Sequence, residues 1–322
     1  MKKILLCLLA VMMIHLWVGV HPVQAREIKM VTFLPKDDIN LTAWWAFAEE
    51  VNKKSNGELV IKFMGGPEAI PSFKQFEAVR TGVVDMIFSA ESYYGGAVTG
   101  AAYTHLSRLS PLEERKAGYN DLRVEILKKQ NLFYLGRPVY GTWFQIFTNK
   151  PIKRPQEIKG QKIRTSATYE PFIKTLGAVP ITLPGSEVYT ALERGVVDGY
   201  AWAVIGNISM GWSEVCKNII EPRIYSMNVE ALVNLDTWNK IPKNLQKMME
   251  DLMAENEAKY TKFFAELGEK ELQAMQAKGM KLIKFTPEDT KWFVDLAYKA
   301  GWDEVLNKAP ELGPKLKKIL SP

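Results

Sequence analysis

The chain has 322 residues and a formal net charge of +6, enough length for one large or two medium domains with real cores. The charge excess is modest and gathers into no lysine or arginine run and no basic helix, which excludes the usual nucleic-acid binders. Two cysteines, one of them in the first ten residues, exclude a fold stapled by disulfides.

The N-terminus comes first. Met1, Lys2 and Lys3 make a positive start, Ile4 to Val20 is an apolar run, and Val23-Gln24-Ala25 puts small residues where a signal peptidase reads. The run is short for a membrane span and holds His15, and no second long apolar segment follows. Residues 1–25 are therefore expected to be a cleaved signal peptide and the product to be periplasmic, with no direct membrane insertion. Cys7 leaves with the leader. Cys216 remains as a small buried hydrophobe near a helix end, and packing must supply the stability.

Strands and helices alternate from there. Ile28, Met30 and Thr32 alternate with Lys29, Val31 and Phe33 as a strand does, and Trp44, Phe47, Ala48 and Val51 follow at helical spacing. Ser55-Asn56-Gly57 stops that helix, and Leu59, Ile61 and Phe63 mark a second strand. Gly65-Gly66-Pro67 turns into a helix carrying Phe73, Phe76 and Val79, and Met86-Ile87-Phe88 is a third strand. This rhythm predicts a mainly parallel sheet with helices on both faces, whose ligands sit beyond the carboxyl ends of the strands.

The segment Ala78 to Asp85 then returns as Ala191 to Asp198. Each copy is a helix end, a glycine free to take positive φ, and a β-branched strand start. The repeat suggests two lobes on one plan. From Lys243 to about Ala277 only Gly268 interrupts a helical pattern, which predicts one helix roughly 50 Å long, too long for a single lobe. Gly279 breaks it, Lys281 to Phe285 returns to a sheet, and Thr286-Pro287-Glu288-Asp289 starts the last helices.

No catalytic constellation can be assembled. After cleavage His105 is the only imidazole and Cys216 the only thiol, too few for a zinc site or a Cys–His pair. His105, in Thr104-His105-Leu106, reads as a hydrogen-bonded structural residue. No nucleophile elbow, Walker loop or dinucleotide fingerprint is present. The expectation is a protein without enzymatic activity, cofactor or metal.

The stretch Pro151-Ile152-Lys153-Arg154-Pro155-Gln156-Glu157-Ile158-Lys159-Gly160-Gln161-Lys162-Ile163-Arg164 resembles a signature of the substrate-binding proteins of tripartite ATP-independent periplasmic (TRAP) transporters, the C4-dicarboxylate-receptor-like family. The resemblance continues through Leu176 to Pro180, Ser186 to Leu192 and Gly195 to Gly199, and takes in Glu49 to Val51, Ser55 to Gly57 and Thr237 to Pro242. It implies an α/β, two-lobed fold like the type II periplasmic binding proteins, with a long spine helix bridging the lobes. Residues 26–141 plus 229–268 would form one lobe, and 142–228 plus 269–322 the other. It also implies closure around a small organic carboxylate and delivery to TRAP permease membrane subunits driven by an ion gradient.

In that family the arginine ending the signature grips the ligand carboxylate, which here implies Arg164. A guanidinium supports that role, because it offers two parallel N–H bonds and keeps its charge when desolvated. The departures from the family pattern favour an aromatic cleft. Phe144 stands where many members carry a second arginine, Tyr200 and Trp202 follow the Val-Asp-Gly turn where many carry asparagine, and Gly185 lies where some carry an aromatic. Such a cleft suits one carboxylate and a flat apolar body, as in an aromatic or apolar monocarboxylate or a 2-oxo acid such as indole pyruvate. Phe33, Glu91, Tyr93 and Tyr94 follow strand ends of the first lobe and are expected to face the same cleft, as is Tyr169, just before a helix start. A ligand-sensing receptor for a signalling partner and a dicarboxylate or hydroxy-acid receptor are the alternatives.

Overall fold

The computed structural model describes residues 25–98 and 103–322. Apart from Ala25, the expected signal peptide lies outside them. Eleven strands form two sheets among these residues. Strands β1 (Arg26–Thr32), β2 (Leu59–Gly65), β3 (Met86–Ser89), β4 (Leu132–Val139) and β10 (Val229–Asn234) make the first, in the order β2-β1-β3-β10-β4. Strands β5 (Phe144–Thr148), β6 (Lys162–Thr165), β7 (Val179–Thr182), β8 (Gly199–Ala203), β9 (Asn218–Glu221) and β11 (Lys281–Lys284) make the second, in the order β11-β9-β5-β8-β6-β7.

The helices of the first lobe are α1 (Thr42–Lys54), α2 (Gln75–Arg80), α3 (Pro111–Lys116) and α4 (Tyr119–Lys128). Helices α5 (Glu170–Thr175), α6 (Val188–Glu193) and α7 (Trp212–Val215) belong to the second, and α8 (Leu235–Lys240) follows β10. The chain ends in α9 (Lys243–Ala277), α10 (Pro287–Lys308) and α11 (Gly313–Leu320). The fold is two-lobed α/β.

The sheets are mixed rather than mainly parallel. β1 runs parallel to β2 and β3, and β6 parallel to β7 and β8, as the β-α-β rhythm requires. β10 is antiparallel to both of its neighbours, and so is β5. These two strands follow directly on the crossings between lobes. Each enters its sheet from the cleft side, so it runs against strands that end there.

The internal repeat is structural. Asp85 Oδ2 accepts from the Lys29 N–H at 2.9 Å and Asp198 Oδ2 accepts from the Lys162 N–H at 2.8 Å. Each carboxylate pins the adjacent parallel strand at an equivalent place. Gly82 and Gly195 take φ of 77° and 66° at the preceding turns, a conformation glycine adopts at little cost. Counting from the pinned lysines, Arg164 occupies the position that Val31 holds in the first sheet. Their partners across the ladder, Tyr200 and Ile87, correspond in the same way.

Strand periodicity sorts the first sheet. Ile28, Met30, Met86 and Phe88 join the main core, while Val31 and Ile87 face a second cluster with Phe76, Val79, Leu127 and Leu232. Helix α9 spans both lobes. Its early turns bury Leu245, Met249, Leu252 and Met253, and Glu257 accepts from the Arg137 backbone N–H at 2.8 Å beside β4. Farther along, Glu271 accepts from the Ile208 N–H at 2.7 Å on the second lobe. Gly268 lets the helix close on that lobe, since a Cβ there would lie 3.1 Å from both Thr142 Oγ1 and Val204 Cγ1.

Candidate functional site: a buried arginine in the interlobe cleft

Arg164 is the third residue of β6 and its side chain is wholly buried. Its Nε donates to the Leu183 carbonyl at 2.9 Å, its Nη2 donates to the same oxygen, and its Nη1 donates to the Ala201 carbonyl at 3.2 Å. The guanidinium carbon lies 4.8 Å from the centre of a Trp202 ring, a favourable cation–π position. No carboxylate among the described residues forms an ion pair with it. Burial pulls its pKa down, opposed by the nearby hydroxyls of Tyr93 and Tyr169, yet a guanidinium stays protonated in proteins. The site is therefore a desolvated cation held by carbonyl dipoles, a tyrosine hydroxyl and an indole face, with no carboxylate against it.

The first lobe closes over it. The Tyr93 hydroxyl accepts from the Gly185 N–H at 3.0 Å, across the cleft, and hydrogen-bonds the guanidinium. Phe33 meets the Tyr93 ring edge-on at 5.2 Å and Phe73 packs against it at 4.9 Å. Phe33 thus props Tyr93. Gly185 eases the closure, because a Cβ there would lie 3.0 Å from Trp202 Cη2 and 3.5 Å from the Tyr93 hydroxyl.

Beside this cluster lies a cavity of ≈ 10 Å³ walled by Glu91, His105, Phe144, Tyr169, Ser226 and Asn228, among others. Phe144 and Tyr169 pack ring on ring at 4.4 Å. Tyr169 connects the two places: it lines the cavity and interacts electrostatically with Arg164. His105 and Thr168 also line a larger outer pocket of ≈ 470 Å³. That pocket contains Lys174 and Lys308, each paired with a glutamate of the same wall, Glu170 and Glu304.

Arg164, Trp202, Tyr93 and Gly185 thus come together with Phe33 behind them, and Phe144 and Tyr169 come together at the cavity. Three expectations are corrected. Tyr94, next to Tyr93, turns the other way, stacks on Phe76 at 4.7 Å and hydrogen-bonds Glu230 in the second cluster. Tyr200 turns inward, stacking on Phe147 at 4.5 Å while its hydroxyl donates to Asn207 Oδ1 at 2.7 Å. Glu91 reaches the cavity wall, but its carboxylate is committed to Arg123, the Thr104 hydroxyl and the Thr104 N–H, the last at 2.9 Å. It is a filled acceptor.

His105 also differs from its expectation. The imidazole is buried, but its Nδ1 has no hydrogen-bond partner, and burial pushes its pKa down to about 3. Ser226 and Asn228, which single-residue reading passed over, stand with it. Ser226 Oγ and both amide atoms of Asn228 are likewise buried and unpartnered. The available signal was polar residues two apart on the crossing that runs into β10. Cys216 is buried as expected, its thiol pushed up to about 12.

The chain matches the model of the bacterial extracellular solute-binding protein family 7 over residues 30–308. It is 24% identical over 269 residues to the monocarboxylate 2-oxoacid-binding periplasmic protein of a Nostoc species, covering 81% of this chain and 74% of that one. Identity to the C4-dicarboxylate-binding periplasmic protein DctP of Rhodobacter capsulatus is 26% over 272 residues, covering 81% and 78%. A crystal structure of a TRAP periplasmic solute-binding protein from Desulfovibrio salexigens with bound orotic acid superimposes with a TM-score of 0.82 at 21% identity, covering 91% of this chain and 97% of that one. With a match across both lobes and the spine, the chain belongs to the bacterial extracellular solute-binding protein family 7 and is a binding protein rather than an enzyme.

Proposed function

We propose that the protein is a periplasmic receptor for a small organic monocarboxylate, which it hands to the membrane subunits of a TRAP permease. The observation that carries this reading is a wholly buried guanidinium with no carboxylate paired to it, roofed by aromatic side chains from both lobes. The ligand carboxylate takes the place of the Tyr93 hydroxyl against Arg164. Its body lies along Trp202, Phe144 and Tyr169, whose flat faces reward an apolar or aromatic group. Names of related proteins support an acid ligand without choosing one: one relative is named for 2-oxo acids, another for C4-dicarboxylates, and one similar structure holds orotic acid. The absence of an unpaired second cation among the described residues lining either cavity favours one carboxylate over two.

The Tyr93–Gly185 contact spans the lobes, so ligand entry requires them to part and binding selects the closed form. Arg164→Ala should weaken binding by about 2–5 kcal/mol, the cost of stripping one partner from a buried charge pair. Titration calorimetry with the acid that raises the melting temperature most in a panel of organic acids is the test. Wild-type affinity in that variant would remove the anchor from the site.

A further inference from the structure

We propose that His105, Ser226 and Asn228 form an uncharged polar subsite, which recognises a neutral hydrogen-bonding group on the ligand whose carboxylate Arg164 holds. The inference rests on the preceding reading and narrows it. The ligand class becomes monocarboxylates bearing a keto, hydroxyl or amide group, and dicarboxylates are rejected.

Three observations carry it. All three side chains wall the cavity between the lobes that Phe144 and Tyr169 also wall. Their polar atoms, His105 Nδ1, Ser226 Oγ, and Asn228 Oδ1 and Nδ2, are buried and unpartnered. An unpaired buried polar group destabilises a fold, and a cluster of them in one cleft marks a place where a partner arrives. Their backbone is also fixed. Ser226 N–H donates to the His105 carbonyl at 3.3 Å, Met227 N–H to the Thr142 carbonyl at 2.9 Å, and Phe144 N–H to the Tyr225 carbonyl at 2.9 Å. The crossing strand, the start of β5 and the His105 turn are thereby held as one rigid wall.

The chemistry of that wall sets the ligand's second group. It offers hydroxyl and amide groups, which both donate and accept, and an imidazole kept neutral by burial. The one carboxylate among the described residues lining the cavity, Glu91, is already held by Arg123. A second ligand carboxylate would meet no free cation there and would face that glutamate. A keto, hydroxyl or amide group meets donors and acceptors without a charge to neutralise.

The test uses pairs of acids that share a carbon skeleton: pyruvate, 2-oxo-4-methylpentanoate and phenylpyruvate, each against the acid lacking the keto group, with pyroglutamate and succinate alongside. Calorimetry on the mature protein should show at least one keto acid, or pyroglutamate, binding tenfold or more tighter than its plain or dicarboxylate counterpart. In the double variant Ser226→Ala/Asn228→Leu that preference should fall below threefold. The same variant should melt higher than wild type without ligand, which also reports that it folds. An unchanged preference in the double variant, or succinate binding as tightly as the best monocarboxylate, overturns the subsite and leaves Arg164 standing. Retained binding in Arg164→Ala overturns the anchor instead. Failure of every acid in the panel to bind overturns both.

Discussion

Two buried regions of this molecule treat charge in opposite ways. In the first lobe, Arg123 is wholly buried and ion-paired to Glu91 and Glu230, with both Glu230 oxygens 2.7 Å from Nη2. Arg137, equally buried, makes a two-pronged pair with Glu114 at 2.8 and 2.6 Å. In the cleft, Arg164 is just as buried and has only main-chain carbonyls, a tyrosine hydroxyl and an indole face. His105, Ser226 and Asn228 nearby are left without partners. The three arginines are equally buried, and neutralisation is what separates them.

The largest effect should come from deleting each kind of arginine in turn. Arg123→Met strips Glu91 of its buried cation and Glu230 of its donor, and should cost about 3–5 kcal/mol of unliganded stability. Arg164→Met strands no charge. Relief of the uncompensated cation is offset by the Leu183 carbonyl losing its donors, so stability should change by less than about 1 kcal/mol. Urea denaturation of the two ligand-free variants measures both, and equal costs would erase the distinction.

Acid should find the unpaired region first. The folded His105 pKa of about 3 lies below the ordinary value of 6.5, so the unfolded chain binds a proton that the folded chain refuses. The contribution is full above pH 6.5 and is lost as pH falls toward 3, up to about 5 kcal/mol. His105→Gln, neutral throughout, should flatten melting temperature between pH 4 and 6.5 relative to wild type. A parallel pair of curves would place the acid sensitivity elsewhere. A smaller effect should follow from crowding the closure. In Gly185→Ala the new methyl meets the tip of Trp202, a movable side-chain end, and should cost about 1–2 kcal/mol in the closed form. Quenching or a shift of tryptophan emission on ligand addition should weaken correspondingly.

Much of this was legible in the sequence. The repeated Gly-Val-Val-Asp turn announced the shared plan, because its glycine and aspartate do local work that any copy must repeat. The gap-free run from Lys243 announced the spine. Arg164 and Phe144 entered through the resemblance to the receptor signature, Arg164 as the arginine that ends it and Phe144 as a departure from it, and Tyr169 through its place just before a helix start. Tyr93 and Tyr94 were not separable, since which of two adjacent aromatics faces a cleft depends on a loop conformation that alternation does not govern. The antiparallel crossing strands were also hidden, because direction follows from the return path between lobes. The Ser226–Asn228 wall was hidden for a third reason: an isolated serine or asparagine looks like any surface polar residue until burial is known.

The smallest effect tests how complete the neutralisation of the first lobe is. One cation, Arg123, faces two carboxylates, and burial together with the Glu91 charge holds the Glu230 carboxyl well above the usual range. The folded chain then keeps a proton that the unfolded chain releases above about pH 4.5. Its stabilising contribution is full below that pH and declines as pH rises toward the folded value. Glu230→Gln keeps a side chain of the same shape and a carbonyl oxygen for Tyr94 and Arg123, but has nothing to ionise. It should match wild type near pH 4.5 and gain a few tenths to about 1 kcal/mol by pH 8. A variant that loses stability at pH 8 would mean that Glu230 is ionised and that Arg123 neutralises two charges at once, which would make the contrast with Arg164 sharper still.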